Sequence, residues 1–207
     1  MKSILSLFFV AALIIGCGPA DPEAGVPLKL AEQAAVSAFG KMDLTAVAWQ
    51  NLMPPDYEGS YQEFPWMIEG DSVAAMEQTL EETPLVESLN GTEVKVSGYV
   101  VPLEMDEEKI SEFLLVPFLG ACTHVPPPPA NQIVYVKPKY PLLSEEAQDV
   151  VSVAGTLSTE GKTSDFGAAG YEMTDALLIA FDESEYSGIA TEPVVVDGVT
   201  PPEPVDR

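Results

Sequence analysis

The chain has 207 residues, 46% of them hydrophobic, and its 33 Asp and Glu against 9 Lys and Arg give a formal net charge of -24. This length and apolar content are enough for one domain with a real core. The acidic excess disfavours nucleic acid and anionic lipid headgroups as partners, because both need basic patches. Cations are natural partners, although acids spread along a whole chain are more typical of a solvated surface than of a site.

The first 17 residues are typical of a bacterial lipoprotein signal peptide with its lipobox. Lys2 supplies a positive charge, and the apolar run over residues 4–15 is too short for a transmembrane helix. Ile14-Ile15-Gly16-Cys17 resembles a lipobox, so we expect Cys17 to carry lipid and to anchor the chain to a membrane without a spanning segment. The alternative is an ordinary secretory signal with an incidental cysteine.

The residue after the lipobox favours the outer membrane as the destination. An Asp there would resemble the inner-membrane retention signal, and the sequence has Gly18 instead. We therefore expect an outer-membrane lipoprotein that faces the periplasm. Residues 18–43 are predicted to be a tether because they contain three prolines, and the acidic, proline-rich residues 184–207 are predicted to be a disordered tail.

A helix is predicted shortly before the first strand. Asp71 is a plausible N-cap, and the helix would reach about Glu82, since Pro84 follows. Its apolar residues recur at helical spacing and are expected to face the core. These residues are Val73, Met76 and Leu80.

From Gly91 onward the apolar residues alternate with polar ones or form short runs, as in strands. Five strands are predicted: Val94 to Val101, ended by Pro102; Glu112 to Pro117; Gln132 to Lys137; Val150 to Leu157, with a bulge at Gly155; and Tyr171 to Phe181. A charged turn is expected over residues 105–110 and a short helix from Ser144.

This content predicts a mainly β domain with short helices over residues 44–183. The expected architecture is a small five-stranded OB-like barrel preceded by a helical N-terminal segment, whose first helix would end before Pro54. Barrel closure removes exposed strand edges. An open sheet capped by helices would give nearly the same pattern and is the alternative.

Cys122 and His124 form the most site-like pair in the chain. His124 is the only histidine, and Cys122 is the only cysteine besides Cys17. In an extended segment, residues i and i+2 point to the same side, so sulfur and imidazole would be presented together. Such a pair suits two of the four ligands of zinc, or part of a copper site. Candidates for further ligands, by abundance only, are Glu104, Asp106 and Glu107.

Four prolines and an Asn-Gln pair follow and complete a candidate binding loop. The prolines favour polyproline geometry, and such preordering would lower the entropic cost of capturing a ligand. Besides the Cys-His pair, the loop contains Pro126, Pro127, Pro128, Pro129, Asn131 and Gln132.

Two other interpretations of the pair stay open. In the structural one, Cys122 is a small buried hydrophobe, His124 hydrogen-bonds a backbone carbonyl, and the Asn-Gln pair caps the loop. The other is a nucleophile–base pair, which is less favoured because neighbours on one strand seldom reach hydrogen-bonding geometry. The sequence contains no G-x-S-x-G, H-E-x-x-H, P-loop or G-x-G-x-x-G motif.

The run from Phe113 to Val134, with its C-x-H-V-P-P-P-P-x-N-Q signature, resembles an uncharacterised family of proteobacterial lipoproteins. Gly98 to Leu103 and Trp49 to Pro54 resemble its flanking blocks, so the resemblance covers about residues 45–182. That family has no assigned activity. The resemblance implies an accessory periplasmic role connected with ABC-type export systems and with metal-responsive expression, zinc in particular.

The leading hypothesis from the sequence is a non-enzymatic, lipid-anchored accessory protein that faces the periplasm. It would bind a transition metal, with zinc favoured, or a partner through the Cys122–His124 loop. The runner-up is a structural lipoprotein that docks onto an ABC-type exporter through its proline loop without metal. A thiol-dependent enzyme is third.

Overall fold

The computed structural model of the protein describes residues 44–57 and 59–181. The predicted signal peptide, lipobox, tether and tail lie outside these described residues. Within the described ranges, no helix has the length and apolar character needed to cross a bilayer.

The described residues form strands, short 3-10 helices and one α-helix. The strands are β1 (Thr45–Ala46), β2 (Thr92–Asp106), β3 (Lys109–Val116), β4 (Val134–Pro138), β5 (Leu142–Leu143), β6 (Val151–Leu157), β7 (Lys162–Ser164), β8 (Gly167–Ala169) and β9 (Tyr171–Ala180). The α-helix is α1 (Ser72–Glu82). The 3-10 helices are Trp49–Leu52, Pro65–Met67, Glu87–Leu89, Ala130–Gln132 and Glu146–Gln148.

Five of these strands close into a barrel. The antiparallel pairs are β2–β3, β3–β4, β6–β9 and β2–β6, and β4 pairs with β9 in parallel. Counted along the chain, the barrel strands follow the order 1-2-3-5-4 and return to 1, which is an OB-like arrangement. The prediction of a mainly β, five-stranded OB-like barrel with short helices is confirmed, and the barrel is closed rather than open.

Closure depends on β2, which pairs along both of its edges. Its first half, Thr92 to Gly98, pairs with β6, and its second half, Tyr99 to Asp106, pairs with β3. Gly98 lies at the change of partner. A Cβ there would lie 2.5 Å from the Val116 carbonyl oxygen and 2.9 Å from the Trp49 ring, so only glycine fits this close approach.

The strand was predicted to end at Pro102, and this is wrong. β2 continues to Asp106 through a register shift between Pro102 and Glu104, and a bulge is one of the places where a sheet accepts proline. The bulge predicted at Gly155 is also wrong, since Gly155 pairs in regular register with Val94. A Cβ at this position would lie 3.5 Å from the Ala176 Cα, which is an ordinary van der Waals contact.

The barrel interior holds the larger of two apolar layers. Side chains alternate along each strand, so every second residue of β3 and β4 points inward. The inward set of these two strands is Phe113, Leu115, Val134 and Val136, all fully buried in the main core cluster. The alternate residues point outward and belong to a second cluster, described below.

The α-helix begins where the sequence predicted. The Asp71 side chain accepts hydrogen bonds from the backbone N–H groups of Val73 (3.1 Å) and Ala74 (3.2 Å), which caps two of the helix's free donors. Met76 is buried and Leu80 packs against the cluster of Met76, Ala130 and Ala168. The expectation that Val73 also faces the core is wrong, because its side chain is 51% exposed.

The segment before β2 is held on the barrel by buried hydrogen bonds. The predicted helix over residues 44–53 is instead a short strand, β1, and one 3-10 turn, and Trp49 Nε1 donates to the Ser97 carbonyl at 2.8 Å. The buried hydroxyl of Tyr171 donates to the Leu52 carbonyl and accepts from the Val86 N–H, both at 2.8 Å. One phenol therefore joins two parts of this segment to β9.

Replacing Tyr171 by Phe should destabilise the fold. The change keeps the ring but leaves the Leu52 carbonyl and the Val86 N–H without their partner, at a cost of about 1–3 kcal/mol in the free energy of unfolding. Urea unfolding followed by circular dichroism measures this cost. Tyr140→Phe, at a half-buried tyrosine between β4 and β5, is the matched control and should change stability by less than about 0.5 kcal/mol. Equal stabilities of both variants would contradict the account.

Candidate functional site

The loop between β3 and β4, residues 117–133, contains all the candidate binding residues except the three acids. We refer to it as the Cys-His loop. Its first part turns around a single carbonyl: the Gly120 oxygen accepts hydrogen bonds from the N–H groups of Thr123 (3.3 Å), His124 (2.9 Å) and Val125 (3.1 Å). Gly120 has φ +85°, a left-handed conformation that glycine adopts at no steric cost. The result is a compact turn rather than an extended segment.

This turn separates the two side chains that the sequence predicted to act together. Cys122 has φ +65° and is fully buried, whereas His124 is exposed. The His124 Nδ1 lies 3.0 Å from the Thr123 hydroxyl. The expectation that sulfur and imidazole project to one side of an extended strand is therefore wrong, because the i, i+2 rule applies only to extended backbone.

Cys122 packs into the second apolar cluster, which lies on the outside of the barrel. The cluster joins outward-facing residues of β2, β3 and β4 to the Cys-His loop. Its buried members are Val101, Leu114, Val116, Phe118, Ala121, Cys122, Val125, Ile133, Tyr135 and Ala169. The thiol thus serves as a small hydrophobe that attaches the loop to the barrel wall.

The covered surface is the one that OB folds use to bind ligands. In such folds, ligands lie on the face of the second and third strands and against the connection between the fourth and fifth. Here those strands are β3 and β4, and their outer face lies under the Cys-His loop. The connection between β6 and β9 also folds back, since Lys162 Nζ lies 3.7 Å from the centre of the Tyr135 ring. The usual ligand face is therefore occupied by this chain itself.

Burial determines the chemistry of the thiol. Removal from water raises the pKa of Cys122 to about 12, so the neutral thiol persists throughout the physiological pH range. A nucleophile or a metal ligand needs the thiolate. The described geometry therefore does not favour a Cys122–His124 nucleophile–base pair.

The residues of the loop do not fit a zinc site within one chain. The described residues contain no group of three His, Cys, Asp or Glu side chains close enough to hold an ion. Asp106 and Glu107 lie at the β2–β3 hairpin, and the Cys-His loop leaves the other end of the eight-residue strand β3, roughly 25 Å away. Glu104 is exposed and pairs with Glu112 on β3. Zinc binding stays a prediction, and the positions of these residues do not favour it.

The proline run is fixed by a residue that the sequence did not suggest. Prolines have no N–H but keep their carbonyls, so a buried proline segment needs donors from elsewhere. Gln62 supplies them: its N–H donates to the Pro127 carbonyl at 2.7 Å and its Nε2 donates to the Pro128 carbonyl at 2.8 Å. The same amide exchanges two hydrogen bonds with the backbone of Ala168 on β8. No motif marks Gln62, since its role appears only once two distant segments are adjacent.

Asn131 and Gln132 hold the N-terminal segment rather than an outside ligand. Both side chains are buried. Asn131 Nδ2 donates to the Pro84 carbonyl at 3.0 Å, and Gln132 Nε2 donates to the Trp49 carbonyl at 2.7 Å. The loop therefore joins the barrel, the proline run and the segment before β2.

The exposed part of the Cys-His loop is a small tip. Leu119 is 68% exposed, the largest exposure among the described large apolar side chains, and Thr123 and His124 are exposed beside it in sequence. The carbonyl of Gly120 constrains the Thr123–His124 part of this tip, because it also accepts the Thr123 hydroxyl at 3.2 Å. A rigid turn that presents an apolar side chain and an imidazole can make contacts with low entropic cost.

Comparison with known proteins assigns the chain to a family. The model of DUF3299, described as a protein family of unknown function, matches residues 49–179. The chain belongs to the DUF3299 family. A crystal structure of a DUF3299 family protein from Pseudomonas aeruginosa PAO1 is similar to it, with 35% sequence identity and a TM-score of 0.52 over 67% of this chain and 98% of that one. No curated protein gives a match.

The buried thiol should make the protein less stable in alkali. Above the unfolded-state pKa of about 8.5, the unfolded chain loses the thiol proton, while the folded chain retains it up to pH about 12. The unfolded state then binds fewer protons, so the free energy of unfolding falls with pH, by at most about 1.4 kcal/mol per pH unit. The contribution is complete below pH 8.5 and is lost progressively above it.

Urea unfolding of the wild type and Cys122→Ala at pH 7 to 10 measures this effect. The stability difference between the two proteins should stay constant up to about pH 8 and shrink above it, because only the wild type carries the buried thiol. The tyrosines with raised pKa, Tyr61, Tyr135 and Tyr171, are common to both proteins and cancel. Parallel stability curves from pH 7 to pH 10 would show that the folded thiol has an ordinary pKa.

Proposed function

We propose that this chain is a lipid-anchored accessory protein of the cell envelope that faces the periplasm and binds a partner protein through the tip of the Cys-His loop. The tip consists of Leu119, Thr123 and His124. The lipid would be carried by Cys17, and the outer membrane is the proposed location. The chain would act by binding, without catalysis.

The separation of the two loop side chains supports binding by the tip. Cys122 is fully buried in the outer apolar cluster, and the same turn leaves Leu119 68% exposed. Leu119 belongs neither to the outer cluster nor to the residues packed against it. An apolar residue on a preordered turn can contact a protein partner at low entropic cost.

The burial of Cys122 also makes the thiol-enzyme and zinc-binding alternatives less favourable. A thiol enzyme needs an accessible thiolate, and burial raises the pKa of Cys122 to about 12. Zinc binding would have to use the exposed imidazole with ligands supplied by another molecule, because the buried thiol faces away. The resemblance of the sequence to lipoproteins connected with ABC-type export systems makes a transporter component the first partner to examine.

Site-specific crosslinking in the intact envelope tests the proposal. A photo-crosslinking residue at position 123, within the tip, should give one dominant adduct with an envelope protein. Leu119→Asp should reduce this adduct at least tenfold, because a carboxylate would be buried without a partner. Met105→Asp is the matched control, since Met105 is 56% exposed on the β2–β3 hairpin, and should leave the adduct unchanged.

Two further measurements separate the parts of the proposal. Cys17→Ser should move the protein from the membrane fraction to the soluble fraction, and retention in the membrane would refute the lipid anchor. Zinc that co-purifies with the wild type and is lost in His124→Ala would favour the metal alternative. An adduct that survives Leu119→Asp at full yield would refute binding through the tip.

A further inference from the structure

A second exposed surface lies over the β7–β8 hairpin, away from the residues of the Cys-His tip in sequence. Phe64 and Trp66 stack with ring centroids 4.6 Å apart, and Trp66 meets Phe166 edge-on at 6.3 Å. Trp66 is nevertheless 58% exposed and Met67 60% exposed. We call the surface formed by Phe64, Trp66, Met67, Val73 and Phe166 the aromatic platform.

The platform is held rigidly. Pro65 is buried and begins the 3-10 helix that carries Trp66 and Met67. The hairpin turn that carries Phe166 is closed by the Ser164 hydroxyl, which donates to the Gly167 carbonyl at 2.9 Å and accepts from the Phe166 N–H at 3.3 Å. Rigid aromatic side chains lose little conformational entropy when they bind.

The apolar stripe of α1 extends onto the platform. Val73, Met76 and Leu80 lie on one face of the helix, and only the last two are covered by the hairpin and the Ala130 turn. The 3-10 helix of Trp66 packs against α1. Val73, 51% exposed, therefore adds to the same surface as Trp66 and Met67, and the stripe continues beyond what the fold itself buries.

The platform is strongly acidic at its rim. From Leu44 to Val94 the sequence has ten Asp and Glu and no Lys or Arg. Four acidic residues lie within two positions of a platform residue in the sequence, and all four are exposed. They are Glu63, Glu69, Asp71 and Asp165. An apolar centre inside a rim of one charge is complementary to an apolar segment that carries the opposite charge.

We propose that the aromatic platform binds a cationic, apolar peptide segment of a partner protein. Apolar side chains of the segment would cover Trp66 and Met67, and an Arg or Lys would stack on the Trp66 face while its charge meets the acidic rim. A second copy of this chain is a poor occupant, because two chains of net charge -24 repel each other. An anionic bilayer is disfavoured by the same rim.

This inference goes beyond binding through the Cys-His tip and does not depend on it. The test uses the full chain in zwitterionic detergent micelles, with empty micelles as the blank, and three fluorescent twelve-residue peptides. These alternate leucine with arginine, with glutamine or with glutamate. Anisotropy titrations should give a Kd at least tenfold lower for the arginine peptide than for the glutamine peptide, and no binding of the glutamate peptide. Added salt should weaken the preference for arginine.

Variants distinguish the platform from general charge attraction. Trp66→Ala should weaken binding of the arginine peptide at least tenfold, and Glu63→Gln with Asp165→Asn should reduce the preference for arginine over glutamine at least threefold without unfolding the protein. Met105→Ala, far along the barrel, should change neither. The inference is overturned if all three peptides bind equally or if Trp66→Ala binds the arginine peptide like the wild type.

Discussion

The burial of Cys122 against the outer wall of the barrel is the contact on which the Cys-His loop depends. β3 and β4 carry apolar residues on both faces, so the outer face needs a cover of its own. The loop provides that cover, and Cys122 fits into it only through a left-handed backbone conformation, which costs about 1–3 kcal/mol. The burial of Cys122 in the apolar cluster offsets this strain. The same turn then leaves Leu119 and His124 exposed. The buried Cys122 and the exposed tip therefore both result from one backbone geometry.

The loop also organises the rest of the chain. Its prolines provide carbonyls without N–H groups, and Gln62 links them to β8. Its last residues, Asn131 and Gln132, hold the segment before β2 through backbone carbonyls of Pro84 and Trp49. The surface that OB folds usually offer to ligands is therefore filled by this chain, and exposed apolar residues appear further out, at the tip and on the aromatic platform.

Local patterns predicted much of the fold. Period-two alternation and short apolar runs located the five barrel strands, and Asp71 with its following helical spacing located α1. The end of β2 could not be predicted, because whether a proline ends a strand or sits in a bulge depends on the partner strand. The sequence singled out the signature loop, but its geometry could not be predicted, because the i, i+2 argument assumes an extended chain and Gly120 makes a turn. The roles of Gln62 and Tyr171 were not predicted, since their partners lie at least 65 residues away in sequence.

Thiol accessibility in the native protein tests the central claim most directly. With Cys122 buried and its pKa raised to about 12, a maleimide at pH 7.5 should label the native protein at least a thousandfold more slowly than the urea-unfolded protein. The Cys122→Ala variant measures the background labelling of Cys17. Adding Thr123→Cys to that variant places a thiol at an exposed neighbouring position, which should be labelled at the rate of the unfolded protein. Native labelling of Cys122 as fast as that of the cysteine introduced at position 123 would mean that the thiol is open to solvent, and the account of the loop would be wrong.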